Sequence, residues 1–455
     1  MNKYIKSGIL FSLIAGVGLL LTGCHKYLDA KPDVKLVIPK STADLQALLD
    51  NYIRLNSFDP SAGEASADNY YLSDADWASL FSLDNKRMYT WEKDYLFSTY
   101  PNNWSQTYDV VYVANTVLDH IDDLKPTNNT DDWSNVKGQA LYHRGKSFSE
   151  AASIWCLAYD PSTAAADLGI PLRLNSNFNE ISKRATLQVT YDRIIADVKA
   201  SIPLLPVTPL HVMRPSKAAA YGLLARVYLN MRQYTLAGLY ADSCLQLYNK
   251  LLDYNKYSPV ATYPFAQFNA EVIMENRRPI LPSLNKGIAK IDSIVYLSYA
   301  ANDLRKTLFF QSNGNGTYGF KGSYEGGLTL FGGIATDEIY LIRAESYART
   351  GNVTLAMNDL NILLITRWKT GTFIPFTATG PVDALQIILT ERRKELLMRG
   401  LRWMDIKRLN KEGAGIMLTR KLNNQLYTLP PNDLRYALPL PEDVILLSGM
   451  VQNDR

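Results

Sequence analysis

Apolar residues in this chain recur at intervals of three and four far more often than at intervals of two. In "STADLQALLDNYIRL", Leu45, Leu48, Leu49, Tyr52 and Ile53 share one helical face, and Ser41 or Thr42 is placed to cap its start. The same period runs through roughly 104–122, 133–159, 188–202, 215–231, 233–250, 335–350, 353–368 and 381–410. Strict apolar–polar alternation, the mark of a half-buried strand, is scarce. The pattern predicts a mostly α protein.

Two of these stretches repeat each other. "LARVYLNMRQYTLAGLYAD" carries Ala225, Tyr228, Arg232 and Ala237; "IRAESYARTGNVTLAMNDL" carries Ala344, Tyr347, Gly351 and Ala356; all four pairs are 119 positions apart. Alanine lets two helices approach, tyrosine fills the gap beside it, and glycine or a polar residue turns the chain. This order resembles the tetratricopeptide pattern, and the remaining helices are expected to stack as degenerate repeats.

The intervening segments differ in character. Residues 57–103 show no long period, yet hold ten aromatics and eight acids against three bases. So many aromatics argue against disorder, and a long loop in a compact protein is usually functional. Trp91, Tyr95 and Phe97 are expected in the core. "SNGNGTYGFKGSYEGG" (312–327) reads as a flexible surface loop exposing Tyr318, Phe320 and Tyr324; without a strand before it and a helix after it, it is not a phosphate loop.

The N-terminus changes the picture of where the protein works. Lys3 and Lys6 precede an uncharged apolar run, Gly8 to Leu21, too short to span a bilayer but suited to a signal peptide. The run ends in Leu21-Thr22-Gly23-Cys24, which resembles the bacterial lipobox. Residues 1–23 are therefore expected to be a lipoprotein signal peptide, Cys24 the lipidation site, and the polar residues 24–40 a tether. Two or three acyl chains on one cysteine anchor a protein stably, where a single chain binds marginally.

The net charge of +4 falls to +2 without Lys3 and Lys6, and no basic run is present, which argues against nucleic acid. Cys156 and Cys244 lie in apolar helical patterns and are expected as buried free thiols. His25, His120, His143 and His211 lack ligand spacing, so no zinc site is expected. With 29 Tyr against 14 Phe, many tyrosines should keep a wet hydroxyl.

Several segments resemble the SusD/RagB family of Bacteroidota outer-membrane nutrient-binding lipoproteins. They are "CHKYLDAKPD", "GQALYHRGKSFSEAASIWCLAYD" with "DLGIPL", "TYDRIIADVKASIPLLP", "RPSKAAAYGLLARVYLNMRQYTLAGLYAD", "NDLRKTLFF", "EIYLIRAESYARTGN", "ERRKELLMRGLRWMDIKRL" and "LPLPEDVILLSGMVQN". They follow the family's order along nearly the whole chain. The most specific is "ERRKELLMRGLRWMDIKRL", similar to the family's E-R-R-x-E…G-x-R-W-x-D-x-x-R block. Gly145 in "YHRGKSF" departs from the family's pattern, since the family more often has Ala there. The resemblance implies a single domain over 41–455. Its tetratricopeptide-like half covers about 104–250 and 335–410, and packs against a loop-rich half of about 57–103, 251–334 and 411–455. It also implies a glycan (in some members peptide) ligand, no enzyme activity, a SusC-type TonB-dependent transporter as partner, and an outer-membrane location facing the exterior.

The charged block could tempt a catalytic reading through Glu391, Arg392, Arg393, Glu395, Arg402, Asp405 and Lys407. Leu396, Leu397 and Met398 instead mark a buried face that Arg–carboxylate pairs would tie down. Asp74 and Asp76 in "LSDADW", and Asp131 and Asp132 in "NNTDDW", lack the glycine and distal glutamate of a calcium loop. No catalytic residue, metal or cofactor is expected. A surface glycoside hydrolase would need two carboxylates about 5–10 Å apart, and no motif selects a pair; a repeat scaffold that binds only protein is the other alternative. For a sugar ligand, aromatic faces and short polar side chains are the expected tools. The candidates are Asn69, Tyr71 and Trp77 from the aromatic segment, with Tyr299 and Tyr324 from 251–334. Trp133, Trp155, Trp368 and Trp403 lie in helical patterns and are expected in the core.

Overall fold

A computed structural model describes residues 39–124 and 131–455. Cys24, the signal peptide and most of the tether lie outside the described residues, as does part of "NNTDDW". Ser41–Arg455 forms one compact unit, and no helix among the described residues is long and apolar enough to cross a membrane.

The chain runs through helices α1 (Thr42–Leu49), α2 (Tyr52–Asn56), α3 (Ala62–Ser66), α4 (Asp74–Ser79), α5 (Leu83–Tyr89), α6 (Asn103–Ile121), α7 (Asp131–Trp155), α8 (Leu187–Ser201), α9 (Lys217–Asn230) and α10 (Tyr234–Leu247). It continues through α11 (Ser293–Leu297), α12 (Arg305–Leu308), α13 (Thr336–Arg349), α14 (Val353–Leu364), α15 (Pro381–Glu395), α16 (Arg402–Asn410) and α17 (Glu442–Ser448). The long ones stack as neighbours: α6 on α7, α7 on α8, α9 on α10, α10 on α13, and α13 on both α14 and α15. The fold is mostly α.

The spaced repeat is visible in space. Ala225, Ala237, Ala344 and Ala356 are buried at the helix contacts. The two turns match as well, with Arg232 at φ 59° and Gly351 at φ 85°, both left-handed. Glycine takes that conformation without penalty; Arg232 is held there by donating to the Tyr159 carbonyl (2.7 Å). Gly145 is explained by packing. A Cβ there would sit 2.7 Å from Val198 Cγ2, so glycine lets α7 and α8 close together.

The strands are short and form six antiparallel pairs: β1 (Tyr70–Tyr71) with β6 (Lys290–Ile291), β2 (Leu168–Pro171) with β3 (Arg184–Thr186), β4 (Val272–Met274) with β10 (Ile334–Ala335), β5 (Arg277–Arg278) with β9 (Leu330–Phe331), β7 (Phe310–Ser312) with β8 (Tyr318–Phe320), and β11 (Leu418–Leu422) with β12 (Gln425–Leu429), among the described residues. The expected loop over 57–103 is corrected, because it contains α3, α4, α5 and β1. Elements this short carry too few turns for a period to show. Trp91 and Phe97 are core, but Tyr95 is exposed with φ 58°, its backbone N–H turned to Glu442. Cys156 and Cys244 are buried and free.

The 381–410 pattern is two helices, not one. Met398 (φ 59°) and Gly400 (φ 75°) break it. A Cβ on Gly400 would lie 2.3 Å from Arg278 Nε, and the Gly400 N–H donates to Glu64 (2.8 Å), so the break docks this segment onto α3. The charged block around it is structural. Glu391, Arg392, Glu395, Asp405, Lys407 and Arg408 are all buried. Arg408 is bidentate to Glu345 (2.7 and 2.8 Å), while Arg392 donates to Asp405 (2.9 Å) and Lys407 to the Ser153 and Cys156 carbonyls (both 2.7 Å). Deeper in, Arg305 and Arg367 link Asp303, Glu391, Glu395 and Glu271. Glu345, Asp405, Asp303, Glu391, Glu395 and Glu271 each have a cation, as burial of a charge demands.

Candidate ligand-binding surface

The aromatic segment is fixed by one arginine. Arg420 on β11 is buried and donates to the carbonyls of Tyr89 (2.6 Å), Ala65 (3.1 Å) and Ala67 (2.7 Å). Its guanidinium lies 3.7 Å from the Tyr89 ring centre, 4.7 Å from Trp91 and 5.2 Å from Tyr70. Planar stacking with in-plane donation suits arginine alone. Trp91 Nε1 donates to the Ser66 carbonyl (2.9 Å), and the Tyr89 hydroxyl accepts from the Leu72 N–H (2.7 Å). The core is thus filled up to β1.

On β1 successive side chains alternate faces. Tyr70 points inward, its hydroxyl donating to the Ala65 carbonyl (2.8 Å). Tyr71 takes the other face, half-buried, directly across from Lys290. Ser73 then starts α4 through a capping box with Asp76. Asp76 also ion-pairs with Lys290, which ties α4 to β6. Asp74 accepts from the Asn423 N–H (2.8 Å). Both carboxylates of "LSDADW" are therefore engaged by the protein. Among the described residues no cluster of three metal-ligating side chains occurs.

Trp77, on α4, is half-buried against the core. Its Nε1 has no partner among the described residues, and the Lys86 ammonium lies 5.1 Å from the ring centre. A stacking sugar would use the opposite face or displace that ammonium. β8 packs beside β6, and its Tyr318 stacks on Tyr296 of α11, with centroids 3.6 Å apart and planes 15° apart. Lys306 lies 5.1 Å from the Tyr296 ring. Burial and the neighbouring Tyr318 hydroxyl push the Tyr296 phenol up to about 12. Tyr71, Trp77, Tyr296 and Tyr318 thus share elements joined through β6. Each is half-buried, with Lys290, Asp76 and Lys306 as polar neighbours.

Three sequence-predicted candidates are corrected. Tyr299 is buried and its hydroxyl donates to the Lys394 carbonyl (2.7 Å). Tyr324 is fully buried. Its hydroxyl donates to Glu271 (2.7 Å) and lies 2.8 Å from the Tyr254 hydroxyl, and Arg399 covers its ring at 4.0 Å. Asn69 is buried and donates to Glu64 (2.8 Å). None offers a face to a ligand. The flexible-loop reading of 312–327 is corrected: Tyr318 and Phe320 are half-exposed on strand β8, and Tyr324 is buried against Phe265 and Phe331. Tyr296 was missed. Its neighbours "DSIVYL" give no signal, because its partner Tyr318 arrives only through the β7–β8 hairpin. Trp133, Trp155 and Trp403 are core as expected, and Trp368 is half-buried against Phe373 and Phe376.

Two carboxyls outside this surface are strongly perturbed. Burial, then the adjacent Glu275, pushes Glu325 up to about 10; burial raises Asp337 to about 7 against the pull of Arg399. Both are buried among structural partners rather than set in a cleft.

Comparison with known proteins agrees on the architecture. Residues 26–229 match the SusD-like family described as starch-binding associating with outer membrane. A SusD superfamily structure from Bacteroides thetaiotaomicron VPI-5482 is 21% identical, with a TM-score of 0.73 over 91% of this chain and 100% of that one. A putative sugar binding protein from Bacteroides vulgatus ATCC 8482 is also 21% identical, with a TM-score of 0.73 over 91% and 98%. A laminarin binding SusD-like protein is 16% identical, with a TM-score of 0.65 over 90% and 98%. No curated protein matches by sequence.

Proposed function

We propose, from the premise that the chain is a SusD-like protein, that it captures oligosaccharide at the cell surface and passes it to a SusC-type TonB-dependent transporter. The observation that carries the ligand class is the half-buried aromatic set Tyr71, Trp77, Tyr296 and Tyr318. Sugar C–H faces carry slight positive charge and aromatic faces are negative, so stacking favours a pyranose ring. Lys290, Asp76 and Lys306 supply hydroxyl partners at the rim. The relatives described as starch-binding, sugar binding and laminarin binding support the same class. The role is binding without turnover. A glycan array probed with protein beginning at His25, including starch- and laminarin-derived oligosaccharides, tests this; binding to no glycan would reject it.

Anchoring is proposed through Cys24, and the likeness to SusD-like proteins supports an outer-membrane location facing out. Cys24→Ala should abolish palmitate labelling and leave the protein in the soluble fraction. Label retained in the variant would refute the anchor.

One observation favours a protein partner as well. Phe178, Ile181 and Leu447 are exposed around a groove of about 600 Å³ that Trp104 and Tyr108 also line. Exposed apolar surface of this kind marks interaction sites. Recovery of no TonB-dependent transporter in a mild-detergent pull-down from the native membrane would remove the hand-off from the account.

A further inference from the structure

A second groove, of about 370 Å³, is lined in part by α11, the helix that carries Tyr296. Tyr296 belongs to the aromatic set, whereas Ile294 lines the groove with Leu389, Gln386, Thr390, Arg393 and Arg402. The rim is partly apolar, with Ile294 strongly exposed and Leu389 half-buried, and Gln386 and Thr390 add polar groups reachable from solvent.

The arginines on its wall are unevenly paired. Arg402 is bidentate to Asp68, with Nε and Nη2 donating at 2.7 and 2.8 Å. Arg393 uses Nη2 alone, donating to the Asp68 carbonyl (3.1 Å) and lying 3.2 Å from its carboxylate. Arg393 Nε has no partner among the described residues and is itself buried, while the side chain as a whole is 26% exposed. Two guanidinium charges therefore meet one carboxylate directly. The next acid, Asp292, is taken up in capping α11, where it accepts from the Val295 N–H (3.0 Å). Burial works to raise Asp68, yet the Arg402 hydrogen bonds and the two arginine charges bring it down to about 2, so it stays ionised. Lys394 adds no free charge, since it is paired with Glu391 (2.7 Å). What remains is a partly exposed guanidinium, incompletely paired, at a partly apolar wall.

We propose that this groove is a second sugar subsite that takes the carboxylate of a uronic acid residue, with Arg393 as its principal donor and Arg402 beside it. The inference rests on the glycan-binding reading and names the chemical class of glycan. A guanidinium matches a carboxylate in shape and charge, and such charge-assisted bonds are roughly twice as strong as neutral ones. Ile294 and Leu389 would cover the C–H face of the same sugar.

The test is calorimetric titration of the full mature protein with an oligogalacturonate and with a neutral maltooligosaccharide of equal length. The acidic chain should bind more tightly. Its advantage should shrink as ionic strength rises from about 0.1 to about 1 M, because the Debye length contracts from about 10 to about 3 Å. Arg393→Gln should weaken the acidic ligand about tenfold and leave the neutral one unchanged. Gln386→Glu, an exposed change that does not disturb packing, should weaken the acidic ligand alone by adding a negative charge to the rim. Equal binding of the two glycans, or variants that affect both alike, would overturn the subsite while leaving the glycan-binding reading intact. Binding of neither glycan would overturn both. Tighter binding of an acidic peptide than of the uronate would overturn the uronic acid assignment.

Discussion

Arg367→Ala should lower the stability of the folded protein by about 3–5 kcal/mol, the range for breaking a buried ion pair from one side. Arg367 is fully buried, with Nε on Glu395 (2.8 Å), Nη2 on both oxygens of Glu271 (2.8 and 3.0 Å) and Nη1 on the Leu252 carbonyl (2.8 Å). Its guanidinium also lies 4.1 Å from the Tyr254 ring centre. Truncation leaves Glu271 and Glu395 short of a cation in a site without water access, and opens a cavity besides. Glu395 keeps Arg305 (2.9 Å), whereas Glu271 keeps only the Tyr324 hydroxyl and the Leu252 N–H. Denaturant unfolding of wild type, Arg367→Ala and the double variant Arg367→Met/Glu271→Met checks the argument. The double variant should be less destabilised than the single, because it removes the stranded charge as well as its partner. A single variant as stable as wild type would show that the network adds nothing to the fold.

This network also shows what could be read from the sequence and what could not. The helices of the repeat half were legible because Ala225, Tyr228, Ala344 and Tyr347 sit in helices long enough for a period to emerge, and the turns at Arg232 and Gly351 fall at equivalent places. The structural role of Glu391, Arg392 and Glu395 was legible as a type, since such dense charge beside Leu396 and Leu397 must pair. Its partners were not. Arg305, Arg367 and Glu271 come from distant segments, and no local pattern announces a contact across that much chain. Which aromatics reach the surface was half legible for a related reason. Tyr71 and Trp77 stand in a segment whose acids and aromatics suggest a wet face. Tyr299 and Tyr324 look the same in sequence, yet their hydroxyls serve the buried charges. Whether a tyrosine's wet end meets water or a carboxylate is decided by tertiary packing, and composition does not carry that information.

Trp77→Ala together with Tyr296→Ala should reduce oligosaccharide affinity by at least about tenfold, since truncating an aromatic anchor in a binding site typically costs more than about 1 kcal/mol and often 2 or more. Both side chains are half-buried with one side on the core, so the double variant should fold and show only a modest loss of stability. Tyr299→Phe serves as the internal control. It removes a buried hydroxyl that bonds the Lys394 carbonyl, so it should lower stability by about 1 kcal/mol and leave affinity unchanged. Affinity lost in Tyr299→Phe at unchanged stability would place the ligand elsewhere.

The most direct measurement is isothermal titration of the mature protein and its Trp77→Ala/Tyr296→Ala variant with the oligosaccharide that scores highest on a glycan array, with thermal unfolding run on the same samples. The account predicts saturable binding by the wild type, loss of most of that affinity in the variant, and cooperative unfolding in both. Saturable binding that is undiminished in a folded variant would contradict the claim that Tyr71, Trp77, Tyr296 and Tyr318 form the sugar-binding surface.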